Sequence, residues 1–99
     1  MKLITTEDLL QRIESGEQLN IIDVREEDEV AAGMIPGAKH IPLGEIDSRA
    51  GELDKKELYY MVCRSGARSG RASEFLNGQG IDAVNVEGGM LDWDGETHA

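Results

Sequence analysis

The chain has 99 residues, with 20 acidic against 10 basic side chains and a formal net charge of −10. That length suits one compact domain over residues 1–99, and the acidic balance disfavours nucleic acid and anionic membrane surfaces, which both call for an extended basic face. No run approaches the ~18 apolar residues of a membrane span and the N-terminal residues lack the pattern of a signal peptide, so a cytoplasmic setting is expected.

In chain order, Lys2–Ile4 reads as a short edge strand. Thr5 or Thr6 then offers an N-cap with Asp8 placed to help close the box, Leu9, Leu10 and Ile13 form one apolar face, and Ser15-Gly16 ends the helix. Leu19–Val24 is the next strand, and charge appears abruptly at its carboxyl end in Asp23-Val24-Arg25. In open α/β sheets that end is where sites lie. Glu26-Glu27-Asp28-Glu29 resembles an acidic catalytic cluster, but acids in the first turn of a short helix oppose the helix dipole, which makes a solvated face the simpler reading. Ile35-Pro36-Gly37-Ala38 is a turn, His40–Leu43 an extended segment, and residues 45–53 a weak helix.

Leu58–Val62 is a continuous apolar run of the kind that forms a buried parallel strand. Ala72, Phe75, Leu76 and Gln79 follow at helical spacing, with Gly80 as a stop. Ala83–Val86 is the last strand, and Glu87-Gly88-Gly89 is a tight turn before a short helix carrying Met90, Leu91 and Trp93. Strands alternating with helices predict an α/β fold, a central and mostly parallel sheet with helices on both faces.

The single cysteine, Cys63, sits in the turn between the fourth strand and the helix that follows it. An internal disulfide or a Cys-x-x-Cys exchange pair is therefore unavailable. Two histidines far apart in sequence, His40 and His98, do not make a metal site, which needs three or four ligands; neither a metal nor a cofactor is expected. A helix leaves its first amides without internal partners, so a sulfur held in front of it faces hydrogen-bond donors and partial positive charge. Gly66 lets successive N–H groups turn inward to form an anion nest. Arg64 and Arg68 add cationic charge, and between Leu58 and Ser73 there are three arginines and no acid. A lone cysteine is commonly a small buried hydrophobe. In this setting a lowered thiol pKa and a nucleophilic thiolate are expected instead.

Four segments occur in a familiar order: Ile22-Asp23-Val24-Arg25; Gly33-Met34-Ile35-Pro36-Gly37-Ala38 with Ile41-Pro42-Leu43; Cys63-Arg64-Ser65-Gly66-Ala67-Arg68-Ser69; and Gly88-Gly89-Met90-Leu91-Asp92-Trp93. Together they resemble a single-domain rhodanese-like sulfurtransferase over nearly the whole chain. The resemblance implies that Cys63 accepts a sulfane sulfur as a persulfide and passes it to a thiol or to cyanide. It places Arg64, Ser65, Gly66, Ala67, Arg68 and Ser69 in the cradle around that sulfur, with Asp23 and Arg25 bracing the surroundings. The family often has histidine where this chain has Met34, and asparagine or an apolar residue where it has His40. The Cys-Arg opening is closer to thiosulfate-using loops than to the Cys-Gly opening of mercaptopyruvate users. The implied partners are a thiosulfate-like donor, whose leaving oxyanion Arg64 and Arg68 would hold, an external thiol acceptor, and a possible sulfur-relay protein.

Two other readings stay open. A phosphatase or arsenate reductase of the same fold would also use a cysteine in an amide cradle, but such phosphatases space the loop as Cys-x5-Arg, and Cys63 to Arg68 is Cys-x4-Arg. A non-catalytic rhodanese-like module would present the same loop to a protein partner, since fold does not fix function.

Overall fold

The computed structural model describes all 99 residues. Five strands, β1 (Lys2–Thr5), β2 (Asn20–Asp23), β3 (Lys39–His40), β4 (Leu58–Val62) and β5 (Asp82–Glu87), form one sheet in the order β1-β5-β4-β2-β3. Every pairing is parallel. The sheet is joined by α1 (Thr6–Glu14), α2 (Glu27–Ala31), α3 (Ile46–Arg49) and α4 (Ala67–Gly78).

Strand alternation sends successive side chains to opposite faces, so the sheet supports two apolar layers. Ile22, Tyr59, Met61 and Ala83 pack with Ile46 of α3 and Ala72 and Leu76 of α4. On the other face Ile21, Tyr60, Val62, Val84 and Val86 pack with Leu9 of α1 and with Ile35. Leu9, Met61, Leu76 and Val86 are fully buried, and each such side chain contributes about 1.5–3 kcal/mol. Thr5 caps α1 by accepting the Asp8 N–H at 3.1 Å.

Some elements differ from the sequence expectation. Of the extended segment at residues 40–43 only His40 belongs to a strand, the two-residue β3, although the Ile41 and Leu43 N–H groups still donate to Asp23 and Val24 carbonyls. Pro42 lies between them at the free edge of the sheet, where its missing N–H costs no ladder bond. The weak helix at 45–53 is a four-residue α3 between two 3-10 turns, Leu43–Glu45 and Ala50–Glu52. The last short helix is a 3-10 turn, Gly89–Asp92. After it the chain returns to Met34, whose backbone exchanges two 2.8 Å hydrogen bonds with His98.

No helix is long and apolar enough to cross a membrane.

Candidate active site

Cys63 follows the last residue of β4, the strand paired on one side with β5 and on the other with β2. Parity along the strand puts Cys63 with Tyr59 and Met61, on the face that α4 covers. Its residue is 1% exposed, and it belongs to that apolar layer. Burial alone would suit an inert core thiol. The polar groups around the sulfur contradict that reading.

Gly66 stands immediately before α4 with φ +104, a left-handed conformation in which a side chain is strained. This bend aims the Gly66 N–H at the Cys63 sulfur, 3.0 Å away. The Ser69 hydroxyl, one turn into α4, lies 3.2 Å from the same sulfur. Burial pushes the thiol pKa up, while the Ser69 hydroxyl and the amides of Ser69, Gly66 and Ser65 pull it down; the net result lies below the ordinary value. The sulfur thus rests on apolar side chains and faces a ring of donors. Arg64, Ser65 and Ala67 are exposed on the outside of the ring, and Arg64 makes no ion pair.

Arg68 behaves differently from the sequence expectation. Both of its terminal nitrogens are taken by Glu29 of α2, at 2.6 and 2.8 Å. The Arg68 hydrogen bonds hold the Glu29 carboxyl at about 2, and the carboxylate in turn raises the Arg68 pKa. Arg68 does feel the charge of Cys63, but Glu29 is its dominant partner, and the lowering of the thiol comes from hydrogen bonds rather than from a free guanidinium. Glu29 is therefore no member of a purely solvated acidic face. Its partner lies 39 residues along the chain, beyond any local pattern.

Asp23 and Arg25 are both buried and lie behind this pair. The Arg25 side chain donates to both Asp23 carboxylate oxygens at 2.8–3.1 Å and to the Gly33 carbonyl at 2.8 Å. They fix the segment from β2 through α2, which delivers Glu29 to Arg68. The arginine's own carbonyl meets His40 Nε2 at 2.7 Å, so His40 is satisfied locally.

Two supporting residues escaped the sequence reading. Asn85 of β5 is 6% exposed on the face that α4 covers; its Nδ2 donates to the Gly66 carbonyl at 3.0 Å and its Oδ1 lies 2.6 Å from Ser69 Oγ. A polar side chain between Val84 and Val86, on the parity of buried Ala83, was the available signal. Gly89 backs the loop from the other side. The Met90 and Leu91 N–H groups donate to the Cys63 and Arg64 carbonyls at 2.8 and 3.0 Å. A Cβ on Gly89 would stand 2.5 and 2.6 Å from those same two oxygens.

The parallel sheet thus holds Cys63 and its donor ring at its carboxyl end, clasped from behind by the glycine turn. The profile of the rhodanese-like domain matches residues 5–96. The chain belongs to the rhodanese-like family. This rhodanese-like domain is 50% identical over 97 residues to the Bacillus subtilis protein named "Putative sulfurtransferase YtwF", covering 98% of this chain and 94% of that one. It is 40% identical over 91 residues to a sulfurtransferase of Allochromatium vinosum, covering 91% of this chain and 85% of the other. Among solved structures, the Staphylococcus saprophyticus protein SSP1007 superposes with a TM-score of 0.96 at 38% identity, each chain fully covered.

Proposed function

We propose that this rhodanese-like domain is a sulfurtransferase that carries a sulfane sulfur as a persulfide on Cys63, taking it from a thiosulfate-like donor and giving it to a thiol or to cyanide. The observation that supports this reading best is the donor ring around a buried sulfur: the Gly66 amide at 3.0 Å and the Ser69 hydroxyl at 3.2 Å. Such donors stabilise an anion on sulfur and are already in place before reaction.

In the first step the Cys63 thiolate attacks the outer sulfur of thiosulfate. A new S–S bond forms, the donor S–S bond breaks, and its electron pair leaves on sulfite. In the second step a thiolate or cyanide attacks the outer sulfur of the persulfide, and the bond electrons return to Cys63. Charge balances in both steps, and no redox partner is needed. With Arg68 held by Glu29, the loop cation left for the incoming dianion is Arg64, which is exposed and unpaired. Burial of the sulfur supports the choice of donor: a terminal sulfane atom reaches it end-on, whereas a phosphate ester must bring a substituted tetrahedral centre to the floor of the loop. A cytoplasmic setting, rich in reduced thiols, would supply the acceptor.

The test is an intact mass after exposure to thiosulfate. The expected result is a gain of one sulfur atom that cyanide removes as thiocyanate and that Cys63→Ser abolishes. No adduct from thiosulfate or from a polysulfide would overturn the carrier role.

A further inference from the structure

Cys63, Ser69 and Asn85 meet from three elements, the end of β4, the first turns of α4 and the middle of β5. Ser69 Oγ lies 3.2 Å from the sulfur and 2.6 Å from Asn85 Oδ1. Ser69 is 0% exposed and Cys63 is 1% exposed, so the groups within the protein must satisfy one another. A hydroxyl has one hydrogen to give. The far end of Asn85 settles which way its amide points, because Nδ2 donates to the Gly66 carbonyl at 3.0 Å and Oδ1 is left facing Ser69. Gly70 admits this approach: a Cβ there would already stand 3.3 Å from Nδ2.

An amide oxygen only accepts. In the thiol form the chain closes without conflict, Cys63 S–H to Ser69 Oγ and Ser69 O–H to Asn85 Oδ1. A thiolate also only accepts, so sulfur and Asn85 Oδ1 then face the same single hydrogen. We propose that the Ser69 hydroxyl is a two-position switch and that Asn85 is the positioning residue that sets it. The hydrogen rests on Asn85 while the sulfur is neutral and turns to the sulfur when the S–H proton has left to water. Asn85 therefore opposes the donor ring and restrains ionisation of the resting thiol. Only its setting in the persulfide rests on the sulfurtransferase reading: there the negative charge moves to the outer sulfur, the bridging sulfur becomes a poor acceptor, and the hydroxyl returns to Asn85.

The test is the pH midpoint of Cys63 alkylation by iodoacetamide in the full chain, for the wild type, Asn85→Ala, Ser69→Ala and the double variant. The charged groups on the surrounding elements are Arg64 of the loop, Arg68, Arg71 and Glu74 of α4, Glu26, Glu27, Asp28 and Glu29 at α2, Asp23 at the end of β2 with Arg25 just after it, Asp82 and Glu87 at the two ends of β5, and Asp92 beyond it, and all are retained throughout. Removing Asn85 frees the hydroxyl for the thiolate, so Asn85→Ala should lower the midpoint by about one pH unit, about tenfold more thiolate at a fixed pH below it. Ser69→Ala should raise the midpoint, and adding Asn85→Ala to it should change nothing beyond about 0.3 unit. A purely structural Asn85, holding the Gly66 carbonyl, would raise the midpoint when removed and would do so with or without Ser69. Either result overturns the switch.

If a variant fails to fold, the wild type still decides. The Asn85 carboxamide carbon resonance should move with the Cys63 midpoint as its oxygen loses a hydrogen bond, and should stay fixed in Cys63→Ser. A resonance that ignores the Cys63 titration overturns the proposal. These titrations need no sulfur donor, so a failed switch and a failed sulfur transfer are separate results.

Discussion

Replacing Gly89 by alanine should damage the cysteine loop from behind, and the size of the effect can be worked from two positions. At Gly89 φ is +57, and an added Cβ would meet the carbonyl oxygens of Cys63 and Arg64 at 2.5 and 2.6 Å. Real Cβ contacts keep to 3.0 Å or more, so the loop backbone must retreat by about 0.5 Å. At Gly80 φ is +82 with nothing within 4 Å, so Gly80→Ala carries the backbone strain without the collision. The left-handed conformation costs alanine about 1–2 kcal/mol at either site. Overpacking adds about 1–3 kcal/mol at Gly89 alone. In urea unfolding Gly89→Ala should therefore lose about 1–3 kcal/mol more than Gly80→Ala, and each kcal/mol lowers the Tm by about 4–8 °C in a domain of this size. Sulfur transfer per folded molecule should fall by roughly tenfold in Gly89→Ala, because displacement by a fraction of an ångström misaligns the donors. Gly80→Ala should transfer sulfur at the wild-type rate. Equal stability and equal transfer in the two variants would refute the idea that the glycine turn presses on the loop.

Other outcomes follow from the ion pair and the caps. Glu29→Gln should cost about 1 kcal/mol at pH 7, a partly exposed pair being screened. The Glu29 carboxyl is depressed from 4.5 to about 2 in the folded protein, so its contribution is complete above 4.5 and is lost as pH falls through about 2. Urea curves at both ends of that window should show the wild-type advantage shrinking toward the acid end. Arg64→Ala should raise the KM for thiosulfate several-fold with stability changed by less than about 0.5 kcal/mol, as its side chain is exposed and unpaired. Arg68→Ala should instead cost about 1 kcal/mol, because it strands Glu29, and steady-state kinetics with unfolding curves separate the two. Thr5→Ala should cost about 1 kcal/mol in the same unfolding assay through loss of the Asp8 N–H bond.

What was legible in the sequence was whatever is written locally. Ile21 and Ile22, and the run Leu58–Val62, marked buried strands because their apolar side chains serve both faces of a parallel sheet. Thr5 and Asp8 marked a helix start three residues apart, and Gly66 marked the bend that turns an amide to Cys63. The order of four short segments carried the family. Less legible was whatever depends on chains meeting across the sheet. Arg68 looked like a free cation and Glu29 like a solvated acid, since each is ordinary among its neighbours and only the fold brings them together. Gly89 announced a turn but not the two carbonyls pressed against it. Asn85 was the subtler case. Strand parity already placed it on the face of Ala83, but its use was hidden until Ser69 and Gly66 closed around it. β3 and α3 are shorter than the segments the sequence suggests: β3 ends at His40 although the Ile41 and Leu43 N–H groups still donate to Asp23 and Val24, and the 45–53 segment tightens into 3-10 turns on either side of α3.

The direct test of the donor ring is the alkylation midpoint of Cys63 in the unmodified protein, read against the same cysteine in denaturant. Burial and hydrogen bonds push the thiol in opposite directions, and the hydrogen bonds prevail. The folded midpoint should lie below the denatured one, with Ser69→Ala moving it upward. A folded midpoint at or above the denatured value would mean that the apolar layer under the sulfur wins, and that Cys63 is a core residue rather than a nucleophile.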